Sequence, residues 1–149
     1  MNDTKTDDIK QKNIQNQKIF ILGSLNLHNE LLLYTIKKEF NIKCIALKTI
    51  EEISKEENNS NSKLNLILID NIEYSIEKVF TYLATKSDKP FSSYIVALFN
   101  LQNGSGLEKK ALNKNVRGFF YMEDGLNLLL KGVQSLLDGE VWISRNILQ

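Results

Sequence analysis

Residues 64–70 read LNLILID. The run is almost wholly Leu and Ile, lacks the polar alternation of a half-exposed strand, and stops at Asp70 before a turn at Asn71. Such a stretch suggests a strand covered on both faces, the middle of a parallel sheet with helices on either side. The carboxyl ends of such strands form the crevice where open α/β sheets bind ligands, which puts Asp70 at the functional edge.

Working outward, the same pattern recurs in Lys18–Leu22 (KIFIL), Ile42–Leu47 (IKCIAL), Tyr94–Phe99 (YIVALF) and Val116–Tyr121 (VRGFFY). Helical spacing fills the gaps. A helix capped by Asn26 runs to about Phe40, with Leu32, Leu33, Ile36 and Phe40 inward. Thr49 and Glu52 form a capping box for a short helix to about Lys55. Ile72, Ile76, Val79, Phe80 and Leu83 share one face of a helix ending near Lys86. Leu107–Leu112 makes a short charged helix. Asp124 is placed to cap a last helix carrying Leu126, Leu129, Leu130, Val133, Leu136 and Leu137, with Gly139 closing it. Glu140–Gln149, containing WISRNIL, reads as the start of another helix. Five strand–helix units imply a flavodoxin-like, doubly wound (βα)5 parallel sheet of order 2-1-3-4-5 with a C-terminal helical extension. Residues 1–17 read as a polar, disordered leader, 18–139 as the domain, and 140–149 as an extension.

The totals exclude several functions. A chain of 149 residues suits one domain, and 42% hydrophobic with 25% charged residues is ordinary for a globular protein. A net charge of +1 offers no bulk attraction for nucleic acid. The single cysteine, Cys44, rules out an internal disulfide and reads as a small apolar strand residue. No apolar run approaches about 18 residues and the N-terminus is polar, so a cytoplasmic protein without membrane span or signal peptide is expected. His28, the only histidine, has no second ligand nearby, so no metal site is expected. Asn103–Gly106 (NGSG) lacks a phosphate-loop context, and Lys109, Lys110 and Lys114 read as a solvated face. No acid/base pair with a nucleophile lies at the strand ends, so no enzymatic activity is expected.

The (βα)5 pattern with an aspartate closing the third strand resembles a response-regulator receiver domain. The segment VRGFFYMEDGLNLLLKGVQSLLDGEVWISRNIL, residues 116–148, is similar to the end of receivers in LuxR/FixJ-type transcription factors. There it leads into a helix-turn-helix DNA-binding domain. The resemblance implies a receiver half of such a regulator, with DNA contact only through a domain not present in this chain. It also implies a homodimer, with the last two helices and the extension as the interacting surface.

Carried over residue by residue, Asp70 takes the phospho-accepting position. The acidic pair that would hold Mg²⁺ falls on Gly23 and Ser24, the Thr/Ser after the fourth strand on Asn100, and the lysine after the fifth on Met122. Phosphoryl transfer to a carboxylate needs a cation and positioned donors, and Mg²⁺ needs several hard oxygens. Glycine and serine supply a poor cage, and methionine cannot replace an ammonium group. The expectation is a degenerate, signal-input and dimerisation receiver, not phosphorylated in the usual way and without Mg²⁺; a phosphorylatable receiver at Asp70 is the rival.

The same ending resembles the biofilm-matrix regulators of the curli and Vibrio polysaccharide type. Some bind cyclic di-GMP through a W-[F/L/M]-[T/S]-R motif, which here corresponds to Trp142, Ile143, Ser144 and Arg145. Arg145 is suited to guanine, Ser144 to phosphate and Trp142 to stacking. Ile143 departs from the pattern, and the alternative is that Trp142 packs the extension against the domain.

Overall fold

The computed structural model describes residues 17–53, 64–85, 94–104 and 106–143. The expected leader up to residue 16, the helix end at Lys55, the loop to Lys63, the region from Lys86 to residue 93, the Leu83 side chain, and Ser144 and Arg145 lie outside the described residues.

Among these residues, six strands form one parallel sheet: β1 (Lys18–Leu22), β2 (Lys43–Leu47), β3 (Asn65–Asp70), β4 (Tyr94–Leu101), β5 (Val116–Tyr121) and β6 (Trp142–Ile143). Their order is β2-β1-β3-β4-β5-β6. The first five follow the expected doubly wound order, with β3 between β1 and β4. Among the described residues, four helices cover the sheet: α1 (Leu27–Phe40), α2 (Ile76–Thr85), α3 (Leu107–Asn113) and α4 (Leu126–Leu137). A 3-10 turn, Ile50–Glu52, follows β2.

Alternation along each strand sends side chains to two cores. Phe20, Leu22, Ile67, Ile69, Val96 and Leu98 meet α2, α3 and the 3-10 turn. Ile19, Ile21, Leu66, Leu68, Ala97 and Phe99 meet α1 and α4 through Leu32, Ile36, Val133 and Leu136. Every position of β3 is buried, as a strand covered on both faces requires. Asn65 opens that run as a polar residue, buried with its Oδ1 accepting the Lys18 backbone N–H at 2.9 Å. Gln17, assigned above to the leader, is buried with the domain and donates from Nε2 to the Leu64 carbonyl at 2.7 Å. Cys44 is buried, and desolvation pushes its thiol up to about 12.

Local signals behave unevenly. Asn26 caps α1, its side chain accepting from the Asn29 N–H at 2.8 Å. Gly139 adopts φ +88 beyond α4, where its N–H reaches the Leu136 carbonyl and the Glu140 N–H reaches Ser135, a Schellman closure. Three expectations are corrected. Thr49 and Glu52 form no side-chain-to-backbone box; the Glu52 N–H goes to the Thr49 carbonyl at 3.2 Å. Ile72 does not join α2: it is exposed in the turn that follows Asp70, and the helix begins at Ile76. Asp124 does not cap α4, because its Oδ2 accepts the Tyr121 N–H at 2.8 Å and folds the preceding turn instead.

The C-terminal extension differs as well. Where a helix was expected, Trp142 and Ile143 pair in parallel with Gly118 and Phe119. Gly132 of α4 explains this: a Cβ there would lie 2.6 Å from Trp142 Cδ1 and Nε1 and would collide with Phe120 Cε1. The bare helix backbone lets the indole settle against α4 and places the β-prone Val-Trp-Ile run beside β5. No helix among the described residues is long and apolar enough to cross a membrane.

Candidate functional site

Parallel strands bring the carboxyl ends of β1, β3, β4 and β5 to one edge. Asp70, last residue of β3, has the parity of Leu66 and Leu68 and so faces α1. It is 1% exposed. Three N–H donors surround its carboxylate. Oδ1 accepts from the Ile72 backbone N–H at 3.1 Å and from Asn100 Nδ2 at 3.1 Å; Oδ2 accepts from Asn29 Nδ2 at 3.2 Å. One donor is a loop backbone N–H, and the other two are side-chain amides from a helix and a strand.

Each donor is fixed by its own element. Asn29 sits in the first turn of α1, on the inward stripe with Leu32 and Ile36, and is buried. Its Nδ2 also donates to the Ser24 carbonyl at 2.7 Å, tying the β1–α1 loop to the carboxylate, while its Oδ1 is buried without a partner among the described residues. Asn100 adopts φ +60, a left-handed conformation that asparagine tolerates, near the end of β4. Ile72 is presented by the turn that excluded it from α2. Asn29 was not singled out in the sequence; its place three residues after the N-cap and in phase with the core stripe was the available signal.

The other expected site positions are close but play different parts. Gly23 abuts the carboxylate: a Cβ there would sit 2.9 Å from Asp70 Cβ, 3.0 Å from Asn29 Nδ2 and 3.2 Å from Asp70 Oδ2. Ser24 contributes its backbone carbonyl to the network. Met122 turns outward, 53% exposed, with its N–H on the Leu101 carbonyl at 2.9 Å. No cluster of three or more His, Cys, Asp or Glu that could hold a metal occurs among the described residues.

A cleft of about 160 Å³ opens between α1 and α4, reaching Asn100, one of the donors to Asp70. His28, Leu31, Asn100, Met122, Leu126 and Leu129 are among its walls. His28 is exposed at its rim. Trp142 lies apart from this edge, half-buried against α4, and its Nε1 is buried without a partner among the described residues. Asp70 and the residues Gly23, Ser24 and Asn100 are therefore one cluster, and the Trp142 segment is another.

A doubly wound parallel sheet with a buried aspartate closing its third strand defines a receiver-class signalling domain. A family described as "VpsT-like, receiver domain" matches residues 21–145, and the chain belongs to that family. Its structure is similar to the regulatory domain of the master biofilm regulator CsgD, with a TM-score of 0.62 and 18% identity over 84% of this chain and 90% of that one. That likeness is one of fold. No curated protein matches the chain.

Proposed function

We propose that this receiver domain is the input and dimerisation module of a cytoplasmic LuxR-type transcriptional regulator, and that it works without phosphoryl chemistry at Asp70. It catalyses nothing itself, and it reaches DNA through a helix-turn-helix domain outside this chain. One observation carries the reading: the Asp70 carboxylate is almost fully buried and is already occupied by two side-chain amides and a backbone N–H.

The chemistry follows from the sign of those groups. Amide donors turn their positive ends toward the carboxylate, in the space where a divalent cation would bind. Mg²⁺ wants near-octahedral oxygen, and the neighbouring strand end supplies glycine and a backbone carbonyl. An acidic side chain at Gly23 has no room without moving Asp70 or Asn29. Met122, at the position the resemblance gives to a lysine, turns outward and carries no ammonium group. Asp70 instead joins the β1–α1 loop, β3 and β4 into one fixed corner.

Incubating the chain with acetyl phosphate and Mg²⁺, followed by intact-mass measurement, tests this. The expected result is no added phosphoryl group and no change with beryllofluoride. A stoichiometric adduct absent from Asp70→Asn overturns the reading and makes the domain a phospho-receiver. The seating of Trp142 on Gly132 supports a packing role for the Trp142–Arg145 segment over a nucleotide-binding one.

A further inference from the structure

Helix α1 is apolar on two sides. Leu32 and Ile36 enter the core, yet Leu27, Leu31 and Tyr34 are 82%, 58% and 63% exposed. Their spacing of i, i+4 and i+7 makes an outer stripe, which the stem of Lys38 continues one turn further. A surface helix ordinarily carries charge on that side, so a second apolar stripe marks an interaction surface. Leu31 also lines the cleft with Met122 and Leu126, both exposed, and the three extend the apolar ground toward α4.

The charges beside the stripe identify what covers it. Glu30 and Lys37 lie about two turns apart on one flank; His28 and Glu39 lie about three turns apart on the other. All four are exposed, and none makes an ion pair among the described residues. In an antiparallel pair of identical helices, a two-fold axis midway between Leu33 and Tyr34 sets residue 30 against residue 37 of the other copy. The same axis sets residue 28 against residue 39. Glu30 then faces Lys37, and His28 faces Glu39, each twice. Along the seam Leu31 falls between Tyr34 and Lys38 of the other copy, and the two Tyr34 rings meet at the axis. Opposed helix dipoles add to the fit. A surface that complements itself under one rotation is what an isologous dimer requires.

We propose that the outer face of α1 is the homodimer interface, with two copies packed antiparallel through Leu27, Leu31 and Tyr34. This rests on the dimerisation reading above and moves the surface from the last helices to α1. A single helix pair falls below the standard interface size of about 1,600 Å², so the association is weak and concentration-dependent.

Sedimentation equilibrium of the full chain from low to high micromolar concentration tests it, with circular dichroism to check folding. The wild-type chain is expected to approach dimer mass, and Leu31→Asp, at an exposed position, to stay folded and monomeric. Glu30→Lys and Lys37→Glu should each weaken association about tenfold. Combining them in one chain, or mixing the two single variants, should restore it. A wild-type chain that is monomeric throughout overturns both this interface and the dimerisation reading. A dimer indifferent to Leu31→Asp overturns the α1 surface alone. Loss with Leu31→Asp but without charge-swap rescue overturns the antiparallel pairing.

Discussion

At the scale of single residues, Asn29 turns an N–H donor, not an oxygen, toward the Asp70 carboxylate. Asn29→Asp would place two carboxylates about 3 Å apart in a buried corner, so that one proton of the pair is held above the ordinary carboxylate range in the folded state. Raised folded values cost stability at neutral pH and return it as pH falls. The expected loss is about 1–3 kcal/mol near pH 7, shrinking as the pH approaches ~4, read from urea midpoints across that range. Cys44 sets the opposite limb. Its thiol is held neutral to about 12 against an ordinary 9.0. Its contribution to stability is complete below pH 9 and falls as the pH rises from 9 to 12, by up to about 1.4 kcal/mol per pH unit. Native Cys44 should also resist a thiol-labelling reagent until the chain unfolds. Of these residues the sequence announced Asp70, because an aspartate ending a Leu/Ile run is conspicuous. Asn29 was hidden because its role depends on which helix face meets which strand end.

Among elements, what was legible was whatever rests on periodicity. β1, β3 and β5 lie where their apolar runs put them, and α1 and α4 follow their stripes. What was not legible depended on competition for single hydrogen bonds. Asp124 has the right chemistry for a cap and spends it on Tyr121, because the turn before α4 needs closing first. Ile72 fits the α2 spacing and is lost to the turn that delivers its N–H to Asp70. β6 was missed because its cause, the absent side chain at Gly132, lies on another element. In an exposed helix Gly→Ala gains about 1 kcal/mol, but at Gly132 the added methyl meets Phe120 and Trp142. Overpacking of this kind costs about 1–3 kcal/mol, so Gly132→Ala should be neutral to destabilising where propensity alone predicts a gain. Increased hydrogen exchange at Trp142 and Ile143 would locate the damage in β6.

For the whole molecule, the two cores divide the labour. One face of the sheet packs against α2, α3 and the 3-10 turn; the other carries Asp70, the cleft and the apolar flank of α1. The doubly wound order was readable because five strand–helix units admit few topologies. The exposed apolar flank of α1 was not, because exposure follows from assembly and not from the order of residues. If Trp142 serves the fold, titrating cyclic di-GMP into the chain by calorimetry should give no saturable heat. Saturable heat that vanishes in Arg145→Ala would instead make the segment a nucleotide sensor.

Trp142 is also the chain's one indole, and it sits where the sheet hands over to the residues that follow Ile143. The protein thus carries a single built-in optical gauge at that junction. Its emission reports whether the edge strand is seated on α4, with no label attached. A partner, ligand or neighbouring domain that loosens or tightens this junction would be visible as a colour shift from one residue.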